Sequence, residues 1–494
     1  MSYQPLDRGT PESVGVSSRV LLNMLREMET CGTEMHGLMV YRRGKVIAEG
    51  WWDPYTRNTV HINHSFGKTY TAAAVGAAVR LGLMSTEDRV ADLFAEDLKA
   101  YGVADEGYMA RMKVKHVLSM TGGMEIHPDG GAELVKYFLT TPLAHEPGTH
   151  FMYNTTGSSL LAEMVRRVSG MEVFDFLQKY VLDDAGFEPG MLRWARYTSG
   201  LHPAPGTAAN TESNLRLGIL FMNGGSWNGK QLLDPEFVRQ ATRPQSDGGA
   251  FGYGYQMWMN DVPGTYRFVG GHGQDCLVSP AGQIVVAVHQ AGSEPHDTAA
   301  VEGIINRTLL GVEWPESMPE DPGAERELRE YLGSRQIPQP GAQPCHALTE
   351  KWVGRYTVTE GRFHFNTELL PFGDANVYED FYADPQCAVK TLEIERCPEG
   401  YVFTVNGGLK LTVRLDGRWV PHYAPSDMAN YDQSCAAAVL EDDTMIVTQW
   451  YFQTCFKTRL WLKMDGDTVS VKVRKDRLHD GAPYVWREAV MRRE

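Results

Sequence analysis

The sequence predicts a mixed α+β fold: one antiparallel sheet enclosing a helical subdomain, followed by a second domain that is an antiparallel β-barrel. Three observations lead there. Strand patterns stand at both ends of residues 1–313, with a long helical region between them. A proline-rich stretch, 314–344, then breaks the pattern. Beyond it apolar and polar residues alternate, and the tight-turn pairs Asn406-Gly407, Asp416-Gly417 and Asp465-Gly466 separate the runs.

In chain order, the apolar run 37–41, the turn Arg42-Arg43-Gly44-Lys45 and the alternation over 46–52 read as an opening hairpin. The alanine-rich segment 69–83 reads as a helix, and helical spacing continues to about residue 242. Strands return at 266–269, 276–279 and 283–289, the last two joined by the turn Pro280-Ala281-Gly282, and a helix follows at 298–310. Six prolines mark 314–344 as a linker over the surface, carrying a short charged helix at 325–332. Strands are expected at 352–358, 391–395, 401–405, 409–415, 445–452, 458–464 and 468–473. The expected partition is a catalytic domain 1–313, a linker 314–344 and a β domain 345–494.

A chain of 494 residues is too long for one core, and 43% apolar with 22% charged residues is ordinary for a globular protein. The net charge of -15 repels polyanions and no basic, aromatic-studded cluster offsets it, so nucleic acid is not an expected partner. The start, Met1-Ser2-Tyr3-Gln4-Pro5, leads into polar sequence without a secretion signal, and no apolar run reaches the ~20 residues of a membrane helix. A cytoplasmic protein with no membrane partner is expected. Seven cysteines without a Cys-x-x-Cys pair suit reduced thiols better than a disulfide framework. The oligomeric state is open, a homo-oligomer included.

The chemistry centres on Ser65-Phe66-Gly67-Lys68 at the head of the alanine-rich helix. Residues three apart share a helix face, so the Lys68 amine can reach the Ser65 hydroxyl, the layout of a serine acyl-enzyme hydrolase of the Ser-x-x-Lys type. Alone, the tetrapeptide also fits a serine helix cap followed by a solvated lysine. A hydroxyl needs a base to become a nucleophile, and a lysine serves only where its surroundings favour the neutral amine. Tyr153 is the candidate partner, in the proline-glycine turn and extended piece that feed a helix beginning near Gly157. A phenol beside an ammonium loses its proton more easily. A buried core tyrosine is the plain alternative for that position.

Several motifs in order now resemble one family. They are Arg42-Arg43-Gly44-Lys45, Ser65 to Lys68, Leu81-Gly82-Leu83-Met84-Ser85-Thr86-Glu87-Asp88, Val114-Lys115-His116-Val117-Leu118-Ser119-Met120-Thr121-Gly122-Gly123, Pro147-Gly148 through Leu161, Asn223-Gly224-Gly225-Ser226-Trp227-Asn228-Gly229-Lys230, and Phe251-Gly252-Tyr253-Gly254-Tyr255. Over residues 10–310 the chain resembles the serine β-lactamase-related hydrolases: class C β-lactamases, DD-peptidases, D-aminopeptidases and family VIII esterases. The resemblance implies a β-lactamase/DD-peptidase-like sheet with a helical subdomain, Ser65 as nucleophile, and Lys68 with Tyr153 as coupled base. Thr155 stands where the family often has asparagine, which alters substrate recognition. The usual Lys-Thr-Gly box is absent. In its place Gly270-Gly271-His272-Gly273-Gln274 resembles the aminohexanoate-dimer hydrolases, and in that register the N–H groups of Ser65 and Gly271 would form the oxyanion hole, with Thr155, His272 and Gln274 toward the substrate. Losing the lysine removes the partner of a β-lactam carboxylate, so good β-lactamase activity is not expected. The tail resembles the lipocalin-like modules of D-aminopeptidases, and its polar stretch 423–433 reads either as a solvated hairpin loop or as a loop that reaches the catalytic cleft.

His61 and His64 are three apart, but no carboxylate or cysteine completes a ligand set nearby, so neither metal nor organic cofactor is expected. His145-Glu146 with His150 has the wrong spacing for a zincin helix, and Gly-x-Ser-x-Gly and Gly-x-Gly-x-x-Gly are absent. The expected partner is a small acyl substrate, a small ester or amide hydrolysed through acyl-Ser65. Acyl transfer to an alcohol or amine, a D-amino-acid peptidase or amidase, and a non-catalytic binding protein are the rivals.

Overall fold

The structure, a computed structural model, describes residues 3–337 apart from 129, 198, 293 and 294, and residues 350–494 apart from 364–387, 416–417, 424–432, 442, 451–456 and 477–485. The opening hairpin is β1 (Glu34–Arg42) and β2 (Lys45–Trp51), and its two turn residues, Arg43 and Gly44, both take positive φ (46° and 90°). Such a turn matches the twist of the strands it joins. Four more strands complete this sheet: β3 (Trp258–Met259), β4 (Tyr266–Gly270), β5 (Gln274–Ser279) and β6 (Ile284–Ala291). The order is β2-β1-β6-β5-β4-β3, and every ladder is antiparallel. The first strand thus lies against the last, as Leu38 opposite Val288 and Val40 opposite Val286 record.

Six helices carry the argument: α1 (Ser18–Met28), α2 (Gly67–Arg80), α3 (Thr155–Ser169), α4 (Thr211–Met222), α5 (Pro295–Ile305) and α6 (Pro322–Gly333). Because side chains alternate along a strand, the sheet builds two cores. Leu38, Val40, Ile47, Leu277, Val286 and Val288 pack with α1, α5 and α6. Met39, Tyr41, Val278, Val285 and Ala287 pack with α2, α3 and α4. Helix α2 is buried on every side from Gly67 to Ala78, which small residues permit. Helix α6 falls on the proline-rich stretch read as a surface linker. Asp321 caps it by accepting from the Ala324 N–H (2.9 Å), and Leu328 and Leu332 sink into the core beside β2.

The C-terminal sheet has ten strands among the described residues: β7 (Gly354–Gly361), β8 (Thr391–Cys397), β9 (Gly400–Val405), β10 (Leu409–Arg414), β11 (Val420–Tyr423), β12 (Gln433–Glu441), β13 (Thr444–Trp450), β14 (Lys457–Asp465), β15 (Thr468–Asp476) and β16 (Trp486–Arg493). The order is β10-β9-β8-β7-β16-β15-β14-β13-β12-β11, wrapped over a core that includes Trp352, Tyr356, Phe403, Leu462 and Val471. It curls until β10 lies beside β11 and β12, yet no ladder joins the two ends among the described residues. Among the described residues the expected barrel is thus a curled antiparallel sheet whose two ends share no ladder. Most of the loop expected to reach the cleft, 424–432, lies outside the described residues.

Candidate active site

Ser65 stands on a single 3-10 turn, His64–Phe66, that runs directly into α2. The residue ahead of α2 is Phe66 and no side chain caps the helix, so the serine hydroxyl is not engaged as a cap. Lys68, one helical step on, donates from Nζ to Ser65 Oγ at 2.8 Å while only 1% exposed. Among the described residues no carboxylate pairs with Lys68. The turn is clamped from below: a β-carbon on Gly67 would overlap the Ala204 carbonyl and come within 2.6 Å of Thr207 Oγ1. Only glycine fits there.

Tyr153 arrives from the other side of the cleft, one residue before Asn154, whose Oδ1 caps α3 by accepting from the Gly157 N–H (2.8 Å). Its ring stacks on Trp258 (centroids 5.7 Å apart, planes at 13°), and Lys68 Nζ lies 4.9 Å from its centre. The phenol hydroxyl makes no hydrogen bond to Ser65 or Lys68 here, and catalytic bonds of this kind often tighten only with substrate bound. Neighbouring Tyr253 is fully buried, and burial, then Tyr153, pushes its phenol well above the usual range. Of the two phenols, Tyr253 stays protonated and Tyr153 is the one that faces the amine.

The third wall is the end of β4. A β-carbon on Gly270 would overlap the Asn63 carbonyl, so the strand presses on the chain just before the turn that carries Ser65. Gly271 next to it faces open space. His272 takes a left-handed φ of 73°, and its ring lies 5.1 Å from that of His64, itself at φ 49°. His61 joins a buried cluster with His36 and His289. No group of three His, Cys, Asp or Glu is arranged to hold a metal ion among the described residues. Thr155 opens α3 half-buried, and its N–H donates to His127 Nε2 (3.1 Å), while His127 Nδ1 donates to the Pro128 carbonyl (2.8 Å). Gln274 is fully buried and gives its side-chain N–H to the Gln290 carbonyl (3.2 Å), while its Oε1 has no hydrogen-bond partner among the described residues. Sequence reading passed over His127, because a lone histidine in a loop has no periodic signature.

The family described as Beta-lactamase matches residues 26–307, more than half of the chain. The chain belongs to the beta-lactamase family. Within that family, the 6-aminohexanoate-dimer hydrolase of Paenarthrobacter ureafaciens is 22% identical to it over 339 residues, 62% of this chain and 85% of that protein. A penicillin-binding protein homologue from Caulobacter crescentus shares the fold with a TM-score of 0.50 at 14% identity, over 62% of this chain and 100% of that one. The human serine beta-lactamase-like protein LACTB, mitochondrial, is 38% identical over 55 residues, 11% of this chain and 10% of that protein. As a beta-lactamase-family protein the chain is a serine hydrolase in the general sense, and no helix among its described residues is long and apolar enough to cross a membrane.

Proposed function

We propose that the protein cleaves a small ester or amide through a covalent acyl-Ser65 intermediate. The observation that carries this reading is the Lys68 amine held 2.8 Å from Ser65 Oγ on the first turn of a buried helix. As Oγ attacks the carbonyl carbon, its proton passes to the Lys68/Tyr153 pair, which then returns a proton to the departing alcohol or amine. The N–H groups of Ser65 and Gly271 stabilise the tetrahedral oxyanion. Water, activated by the same pair, attacks the acyl carbonyl, releases the acid and restores Ser65.

The cleft walls favour an apolar group on one side of the scissile bond. Tyr153, Trp258 and Phe151 form an aromatic wall, and the loop over them carries Phe251, 52% exposed. Ile126, beside His127, is 70% exposed on the Thr155 side. With Gly270-Gly271-His272 in place of a Lys-Thr-Gly box, a β-lactam carboxylate lacks its lysine partner, and poor β-lactam turnover is expected. Linear amides and aryl esters fit this reading better. Transfer to an added alcohol or amine shares every step up to the acyl-enzyme, and product analysis with a competing acceptor separates it from hydrolysis.

The test is Ser65→Ala. It is expected to abolish p-nitrophenyl acetate turnover and the fluorophosphonate adduct seen by mass spectrometry, with an unchanged circular dichroism spectrum. Retained turnover, or an adduct on another residue, would overturn the assignment.

A further inference from the structure

A polar chain runs from the C-terminal sheet to the Ser65 turn, and none of its members takes part in the acyl transfer at Ser65. It starts at Lys457, the first residue of β14, whose ammonium pairs with Glu34 at the head of β1. Glu34 Oε1 lies 3.2 Å from His36 Nε2, His36 Nδ1 lies 3.0 Å from His61 Nε2, and His61 Nδ1 lies 2.9 Å from the Ile62 carbonyl. His61 stacks on His289 at 4.7 Å. His289 Nε2 accepts from Asn214 Nδ2 (2.9 Å), and the same amide donates to Asn63 Oδ1 (2.8 Å). Finally the Asn63 carbonyl accepts from the Phe66 N–H (3.1 Å), closing the turn that holds Ser65. His36, His61, His289, Asn214 and Asn63 are all 3% exposed or less.

The proton count fixes the character of this chain. Three hydrogen bonds, from the Ile62 carbonyl through both rings to Glu34, need three N–H hydrogens where two neutral imidazoles supply two. Neutral, the two rings can donate along only two of these three contacts at a time, and the counter-ion of Glu34 is Lys457. Burial pulls both imidazoles down, and the Glu34 contact opposes that for His36. Burial would raise Glu34 itself, but Lys457 and His36 outweigh it and hold the carboxyl at about 2. The C-terminal sheet also covers the cluster: Trp450 lies 5.5 Å from the His36 ring, and Lys457 Nζ lies 4.3 Å from the Trp450 ring centre. An attachment by apolar area alone needs no such ion pair, whose side chains are only 13% and 25% exposed and so lose part of their hydration.

We propose that Lys457 is a positioning residue for catalysis: through Glu34 and the His36, His61, His289, Asn214 and Asn63 chain, the C-terminal sheet holds the Ser65 turn in its reactive geometry. This rests on the acyl-Ser65 reading. It also gives the C-terminal sheet a part in the reaction without placing any of its atoms on the substrate.

The experiment uses the full chain, p-nitrophenyl butyrate turnover and the rate of fluorophosphonate labelling at Ser65, normalised to labelled sites. Lys457→Met is expected to lower kcat and the labelling rate at least tenfold with KM within twofold, while Lys457→Arg stays within threefold of the parent. Glu34→Gln, which keeps the size of the side chain, is expected to show the same split and serves if Lys457→Met does not fold. Combining Lys457→Met with Asn214→Ala is expected to cost no more than the larger single effect, since both break one chain. A kcat within twofold of the parent in folded Lys457→Met or Glu34→Gln, an effect on KM alone, or simple additivity with Asn214→Ala would overturn the proposal. The two readings fail differently: turnover that survives Ser65→Ala sinks the hydrolase assignment, whereas Ser65-dependent turnover indifferent to Lys457 sinks only the positioning role.

Discussion

Lys68 reaches Ser65 because three residues along a helical backbone nearly complete a turn, a relation that any sequence reader can use. Tyr153 is different in kind, since only the packing of its ring on Trp258 brings it to Lys68. Replacing it by phenylalanine keeps that stack and removes the hydroxyl. Tyr153→Phe is therefore expected to lower kcat by about 10²- to 10³-fold with little change in KM, as measured by steady-state ester hydrolysis. A second residue-scale prediction concerns Asp275, 5% exposed, whose Oδ1 has no hydrogen-bond partner among the described residues. Burial raises its carboxyl to about 6 although Arg267 and Gln290 pull it down. Between pH 3.8 and about 6 the folded chain keeps a proton that the unfolded chain has lost, so stability falls as pH rises through that window. Asp275→Asn should stabilise the fold more at pH 8 than at pH 4, by about 1–3 kcal/mol in unfolding free energy. Equal shifts at the two pH values would contradict it.

Elements with strong periodicity were legible: the hairpin, α2 and the strands after Tyr266 stand within a few residues of their expected places. Three strands of the C-terminal sheet were not. Gln433–Glu441 carries an alanine run and Trp486–Arg493 is rich in helix-forming residues, so local preference points away from strand. Their neighbours decide the matter, β16 being paired on both sides by β7 and β15. Val420–Tyr423 contains Pro421, which a strand at the end of a sheet tolerates. Helix α6 likewise shows that proline content alone does not make an exposed linker, because Leu328 and Leu332 bury. At this scale the testable contact is β4 against the turn before Ser65. Gly270→Ala would drive a methyl group into the Asn63 carbonyl and is expected to cost roughly 1–3 kcal/mol in denaturant unfolding while slowing ester turnover. A variant with unchanged stability and rate would show that the approach is looser than described.

Across the whole molecule, the sheet separates two apolar cores, and the histidine cluster sits where the C-terminal sheet meets β1. Burial holds His289 at about 3, well under the 6.5 of a free imidazole, so the unfolded chain takes up a proton first as pH falls. Stability from this group is complete above pH 6.5 and declines toward pH 3. Glu34, held at about 2 against an ordinary 4.5, adds a loss in the same direction between those two values. Acid is therefore expected to lower Tm across both windows, and His289→Gln should flatten the upper one in thermal melts collected at several pH values. An unaltered slope in that variant would place the acid sensitivity elsewhere.

By itself the sequence determined the Ser65–Lys68 pair, the alternation that makes both sheets and the family to which residues 26–307 belong, because each depends on neighbours along the chain or on ordered motifs. It also marked Gly271 and His272 as departures from a Lys-Thr-Gly box. The pairing of Tyr153 with Lys68 was reached in the sequence only through the family resemblance, while tertiary structure alone decided that Trp258 backs the Tyr153 ring, that His61 joins His36 and His289, and that a lysine at position 457 answers a glutamate at position 34. These groups come from distant segments whose approach is set by packing and by the need to satisfy buried charges and hydrogen bonds, neither of which leaves a local pattern to read.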